Sequence, residues 1–223
     1  LNDVTLNSVS NDGNKPVITA NGQNYTFDAV LYATGRKPNT ANIGLENTDI
    51  TTNERGAIVV NDTCESSVPG VYAVGDVNGG PQFTYISLDD FRIVCGALTG
   101  NGQYTLKDRK NIPYTTFLTP PLARIGLTEE DAINKGYTVK TKEMLVATMP
   151  RAHVNDYLKG AFKIVVNADN DLILGATLYS QGAEELINLI KMAMDNNIPY
   201  TYFKNQIFTH PTMAENLNDL CNF

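Results

Sequence analysis

The sequence predicts an α/β region followed by an α+β domain, with the change near Ile112-Pro113. Three observations carry this. Up to Ala33, short β-prone runs alternate with tight-turn signals, as in an antiparallel meander. The apolar run Val71–Val74 ends in Gly75-Asp76 and leads through a glycine-rich loop into a helical stretch, the strand-to-helix order of an open α/β sheet. Beyond a polar, glycine-bearing stretch at 100–112, strands and helices mix as far as Phe223.

Composition narrows the class. A chain of 223 residues makes one large domain or two modest ones. At 42% hydrophobic and 18% charged residues it is globular and not disordered. A net charge of −7 argues against a nucleic-acid surface and against anionic lipid as a partner. No run has the length of a membrane span, and no signal-peptide pattern opens the chain. Cys64, Cys95 and Cys221 are far apart and form no CxxC, which fits a reducing, cytoplasmic setting better than a disulfide scaffold. Cys64 and Cys95 are expected to pack as small apolar groups. Because the chain opens on Leu1 with residues that read as mid-sheet, it is expected to be the carboxyl-terminal part of a longer protein.

Along the first region, Val4–Val9 alternates loosely and Asn11-Asp12-Gly13-Asn14 signals a turn. Pro16–Ala20 is a short strand, Asn21-Gly22 a hairpin turn, and Tyr25–Phe27 the return. Ala29–Ala33 is apolar enough for a strand buried on both faces, ended by Thr34-Gly35 and a loop over Arg36-Lys37-Pro38-Asn39. Residues 40–61 read as a linker with a short hairpin. Pro69-Gly70 then turns the chain into Val71–Val74, expected as a buried strand. Gly75 admits a close approach, and Asp76 puts a carboxylate at the strand's carboxyl end, suited to the hydroxyls of a sugar or ribitol. A helix is predicted from about Tyr85 to Leu98, with Ile86, Phe91, Ile93, Val94 and Leu98 as its apolar members. Its amino terminus, near Gln82, Phe83 and Thr84, would offer free N–H groups and partial positive charge.

Thr63, Gly70, Val71, Tyr72, Ala73, Gly75 and Asp76 together resemble the second FAD motif of the flavoprotein disulfide reductases, the pyridine nucleotide-disulfide oxidoreductase family. In that family the motif's Asp holds the FAD ribitol and the following helix points at the flavin ring. The resemblance therefore implies FAD-binding roles for Gly75, Asp76, Gln82, Phe83 and Thr84. The segment Ala33-Thr34-Gly35-Arg36-Lys37-Pro38-Asn39 is similar to the family's return from its NAD(P) domain to its FAD domain, which adds Gly35 and Arg36 as cofactor-binding candidates. The resemblance makes the opening meander the end of the NAD(P)/FAD-binding region, with the NAD(P)H site mostly upstream; no GxGxxG occurs in this chain. The string from Asn78 to Arg92 resembles a bacterial branch of the family, the reactive-chlorine-resistance oxidoreductases.

In the second region, Thr115–Leu118 and Ala123–Gly126 are short strands around Thr119-Pro120-Pro121. Thr128 is a good N-cap for a helix to about Lys135, with three acids in the first turn and Gly136 as its stop. Residues 137–149 contain a long strand. Gly160–Asn167 and Leu172–Tyr179 form a hairpin, and Gly182–Asp195 is an amphipathic helix.

The last constellation is Phe208-Thr209-His210-Pro211-Thr212-Met213-Ala214-Glu215. Thr212 can cap a helix running to about Leu220, and Glu215, three residues on, completes a capping box. Glu215 is equally close enough to orient the His210 imidazole as a proton shuttle. Pro211 is a candidate for a cis peptide bond. His153 has no such partner and reads as a surface or packing residue.

Thr119–Glu129 resembles the same family's dimerisation domain, so 1–112 is expected to close the NAD(P)/FAD-binding region and 113–223 to form the dimerisation domain. The family's H-P-T-x-x-E ending implies that His210 and Glu215 form a catalytic pair serving the other subunit of a homodimer. Its implied activity is flavin-dependent transfer from NAD(P)H through FAD and a cysteine pair outside this chain to a small-molecule, disulfide or metal acceptor. No metal site is expected; the single Cys221 lacks the second carboxyl-terminal cysteine of mercuric reductase. The alternative is an assembly module that dimerises through 113–223 and catalyses nothing itself.

Overall fold

The computed structural model describes residues 2–223. The chain divides into two compact units, one ending at Gly102 and one spanning Gln103–Phe223. No helix among the described residues is long and apolar enough to cross a membrane.

The first unit opens with an antiparallel meander: β1 (Leu6–Asp12), β2 (Lys15–Ala20) and β3 (Gln23–Thr26), paired in that order. Asn21 and Gly22 join β2 to β3 with φ of 50° and 76°. Positive φ at both central residues matches the right-handed twist of the flanking strands, as the Asn-Gly pair predicts. The sheet buries little: β1 is exposed throughout, and Val17 and Ala20 on β2 are its buried apolar residues.

Two expected strands do not form. Over Ala29–Ala33 the chain is unpaired, with Leu31 90% and Tyr32 79% exposed. A strand buried on both faces owes its burial to ladder neighbours, and none of the described residues pairs with this run. Apolar composition without a neighbour gives an exposed segment. Val71–Val74 is likewise no buried strand. One isolated bridge links Tyr72 to Glu65, and Val71 and Val74 are exposed. The segment is held from one side, by Ser66 N–H to Val71 O (2.7 Å) and Ala73 N–H to Cys64 O (3.0 Å).

Helix α1 (Thr84–Thr99) forms where expected. Its buried stripe is Ile86, Asp90 and Ile93, whereas Phe91 and Leu98 face solvent. The i, i+4, i+7 spacing of one helix face selects 86, 90 and 93; residue 91 lies about 100° around the helix from 90.

The second unit is an α+β domain. Its antiparallel sheet has the order β4 (Tyr114–Thr116), β5 (Leu122–Gly126), β8 (Ile173–Tyr179), β7 (Ala161–Asn167), β6 (Val139–Leu145). Thr119-Pro120, in the β4–β5 connection, is a cis peptide. β5, β8 and β7 are the interior strands, and Phe162, Ile164 and Val166 on β7 and Leu178 on β8 are fully buried. Helix α4 (Ala183–Asp195) covers β5 and β8 with Leu186, Ile187 and Ile190. Each such side chain contributes roughly 1.5–3 kcal/mol by leaving water. At the mouth of β7, Gly160 has φ 122°, and a Cβ there would lie 1.7 Å from the Tyr179 carbonyl oxygen, so only glycine fits.

Helix α2 (Glu129–Asn134) carries the predicted cap in full: the Thr128 hydroxyl accepts the Asp131 N–H, and the Asp131 carboxylate accepts from the Thr128 backbone and hydroxyl. Two short helices escaped the sequence reading, α3 (Pro150–Val154) and α5 (Tyr200–Asn205). Each is about one turn, too short for periodicity to register. The last helix, α6 (Asn216–Leu220), starts later than the Thr212 cap predicted.

Candidate functional site

In the first unit, the backbone from Gly75 to Asn78 forms a single 3-10 turn. Gly75 is buried with φ 73°, and a Cβ on it would lie 2.6 Å from the Ser87 hydroxyl of α1. The missing side chain thus lets the turn press against the helix. Asp76 follows on the exposed side of the turn, and its carboxylate makes no hydrogen bond among the described residues. It lines a cavity of about 250 Å³ with Arg36, Lys37, Pro38, Asn39, Val77 and Gln82. Candidates from two distant segments, Arg36 from one and Asp76 and Gln82 from the other, therefore share one cavity, joined by Lys37, Pro38, Asn39 and Val77, which were not among the expected site residues. Gly35 (φ 103°) precedes Arg36 in the same loop.

Phe83 and Thr84 stand at the amino terminus of α1, next to Gln82 but outside the residues lining the cavity. No side chain caps this terminus and no acid lies in its first turn, so its partial positive charge is not offset locally. Phe83 stacks on Tyr85 with ring centroids 5.0 Å apart, and partial burial raises the Tyr85 phenol above its ordinary pKa.

The sequence reading also passed over Asp90. Its side chain is fully buried and accepts the Gly75 N–H (2.7 Å) and the Asn78 amide (2.9 Å) on one oxygen. The available signal was an acid on the stripe between Ile86 and Ile93, where an apolar residue would be expected.

The second constellation lies within the other unit. Nδ1 of His210 is 2.7 Å from Glu215 Oε2. The other oxygen, Oε1, accepts the Thr212 N–H (3.2 Å), while the Thr212 hydroxyl accepts the Glu215 N–H (3.2 Å). The capping box and the imidazole contact coexist, one on each carboxylate oxygen. They shape the turn ahead of α6, which begins at Asn216. The imidazole is 69% exposed and its partner carboxylate 18%, so a sequestered acid presents an accessible ring. The His210-Pro211 peptide is cis.

His153 is exposed and bonds the Ala147 carbonyl through Nε2 (2.8 Å). Cys64 is buried as expected, but Cys95 is exposed on α1, a correction to its expected packing: it lies off the 86–90–93 face. Cys221 is fully buried, and that burial pushes its thiol up to about 12. It is not an accessible thiol for metal. Among the described residues no group of His, Cys, Asp and Glu side chains could hold a metal ion.

The cavity chemistry fits part of FAD. A carboxylate suits polyol hydroxyls, and Arg36 and Lys37 supply positive charge for a phosphate. Its volume lies below the ~300–1,000 Å³ of a pocket for a whole drug-sized ligand, so it suits a segment of a dinucleotide.

Comparison with known proteins agrees on one family. The pyridine nucleotide-disulphide oxidoreductase model matches residues 2–90, and the model for that family's dimerisation domain matches 112–221. The probable pyridine nucleotide-disulfide oxidoreductase RclA of Escherichia coli is 44% identical over 222 residues, covering 98% of this chain and 50% of that protein. A mercuric reductase of Staphylococcus aureus is 35% identical over 218 residues, 96% of this chain and 40% of its own. Among solved structures, the HOCl-induced flavoprotein disulfide reductase RclA from Escherichia coli superposes with a TM-score of 0.91 at 43% identity, over 98% of this chain and 50% of its own. The chain thus spans about half the length of the first of these relatives and less of the second. With consecutive family models over most of its length and a matching structure, the chain belongs to the pyridine nucleotide-disulfide oxidoreductase family, whose members depend on FAD and NAD(P)H.

Proposed function

We propose that this chain is the carboxyl-terminal part of a cytoplasmic, FAD-dependent NAD(P)H oxidoreductase that works as a homodimer. Residues 1–112 close its NAD(P)/FAD-binding region and 113–223 form its dimerisation domain. The observation that carries the reading is the convergence of Arg36, Asp76 and Gln82 on one cavity beside the uncapped amino terminus of α1. FAD, when bound, would supply the redox chemistry linking NAD(P)H to a cysteine pair outside this chain and on to a disulfide or metal acceptor.

The chain's own residues supply position and protons. Asp76 accepts hydrogen bonds from the polyol hydroxyls. Gly35 lets the backbone come close to the cofactor, Gly75 lets the turn that carries Asp76 seat on α1, and Arg36 offsets negative charge. Gln82, Phe83 and Thr84 direct the α1 terminus, with its partial positive charge, toward the ring. His210 takes up and returns a proton at Nε2 beside the reacting thiols of the partner subunit, while Glu215 holds Nδ1 and so sets the tautomer. The likeness to the mercuric and HOCl-induced reductases leaves both metal and disulfide acceptors within the reading.

The decisive experiment is the visible absorption spectrum of the protein at its natural length, as wild type and as Asp76→Ala. A bound flavin band in the wild type, weakened or lost in the variant, supports the assignment. A protein that stays colourless with added FAD overturns it.

A second reading applies to the 223-residue chain taken alone. Two of its three cysteines, Cys64 and Cys221, are buried, and the Ala29–Ala33 run has no strand neighbour among the described residues. Both observations favour a module that assembles with other segments and does not turn over by itself. NADH-dependent reductase activity of the isolated chain would contradict this.

A further inference from the structure

We propose that Asp90 is a positioning residue for Asp76. From the buried face of α1 its carboxylate fixes the Gly75–Asn78 turn, and thereby sets the attitude in which Asp76 meets the polyol of FAD. The proposal rests on the FAD reading above.

Asp90 is out of place by helix pattern. It lies between Ile86 and Ile93 on the buried face and is itself fully buried. Burying a carboxylate carries a large desolvation cost unless charge-assisted hydrogen bonds offset it. Two such bonds go to one short segment: the Gly75 N–H at 2.7 Å and the Asn78 amide at 2.9 Å. These anchors flank Asp76 on either side, at the first and last residues of the turn. Ser87, three residues before Asp90 and on the same helix face, meets the turn where Gly75 lacks a side chain. The turn is therefore seated on α1 at two points. Asp76, between the anchors, faces the cavity with no hydrogen bond of its own among the described residues. Its aim must come from the backbone that carries it, and the Asp90 carboxylate ties that backbone to the helix.

The test is a mutant cycle read by FAD affinity, titrating the apoprotein at its natural length by flavin fluorescence. Asp76→Ala is expected to weaken FAD binding on the order of 10-fold, the scale of a charged hydrogen bond. Asp90→Ala should weaken it roughly 5- to 10-fold. Asp90→Asn should stay within about 2-fold, because an amide oxygen can still accept both bonds. The double variant Asp76→Ala/Asp90→Ala should bind no more weakly than Asp76→Ala alone, since coupled residues are not additive. A merely structural Asp90 would give losses that multiply, and that outcome, or wild-type affinity in Asp90→Ala, overturns the proposal. Wild-type affinity in Asp76→Ala overturns the FAD reading along with it. Should Asp90→Ala fail to fold, Asn78→Ala takes its place in the cycle: non-multiplying losses support the proposal and multiplying losses reject it.

Discussion

Glu215 reaches His210 with one carboxylate oxygen only: Oε2 lies 2.7 Å from Nδ1, while Oε1 is engaged by the Thr212 N–H. The same side chain shapes the turn before α6 and orients an exposed imidazole. The pair is thereby pre-organised by local backbone geometry and does not depend on a distant partner for its shape.

Replacing His210 should therefore separate chemistry from cofactor binding. In the protein at its natural length, His210→Ala is expected to lower acceptor turnover about 10²-fold or more, the usual scale of positioned acid/base catalysis, with flavin content unchanged. Glu215→Gln should cost less, about 10-fold, because the amide oxygen can keep either the cap or the imidazole contact but not both. Steady-state turnover beside the flavin absorbance at each preparation checks both. Unchanged turnover in His210→Ala would remove the acid/base role.

Cys221 sets a pH dependence at the alkaline end. Its folded thiol is pushed up to about 12 by burial, above the ~8.5 of a free cysteine. The neutral thiol favours the folded state, so its contribution is fully present below pH ~8.5 and is lost as pH rises from there toward 12, at up to ~1.4 kcal/mol per pH unit. Urea unfolding across that window should show a steeper decline for the wild type than for Cys221→Ala. In the native protein at pH 8 the thiol should resist a disulfide reagent that modifies it readily in urea.

The cap of α2 sets the acid end. The Thr128 hydroxyl and backbone N–H, by bonding the Asp131 carboxylate, lower its pKa, and the Lys163 ammonium does the same for Glu129. Depressed carboxyl pKa values stabilise the fold above the unfolded pKa, and that stability is lost as pH falls through the folded one, here below about pH 4. Thr128→Ala should lower unfolding stability by about 1 kcal/mol at neutral pH, and Asp131→Asn should flatten the acid limb of the stability curve. Equal acid limbs in wild type and Asp131→Asn would contradict the assignment.

Phe162 tests the core of the second unit. It is fully buried on the interior strand β7, so Phe162→Ala should cost roughly 3–5 kcal/mol. Thermal unfolding that separates the two units should show the loss in the transition of residues 103–223 alone.

The sequence by itself determined what depends on neighbours in the chain. The Asn21-Gly22 turn, the Thr128–Asp131 cap, the β7–β8 hairpin and helix α1 were legible because turn dihedrals, caps and helical periodicity act over a few residues. The reciprocal bonds of Thr212 and Glu215 were legible for the same reason. Tertiary structure decided the rest. Ala29–Ala33 and Val71–Val74 have strand composition, yet burial in a sheet requires ladder partners that composition cannot specify. That Arg36, Asp76 and Gln82 share a cavity followed from how the loops fold together. That Asp90 is a buried anchor and not a surface acid was settled by where the Gly75–Asn78 turn sits on α1, since a carboxylate is tolerated in a core only where backbone and amide donors come to meet it.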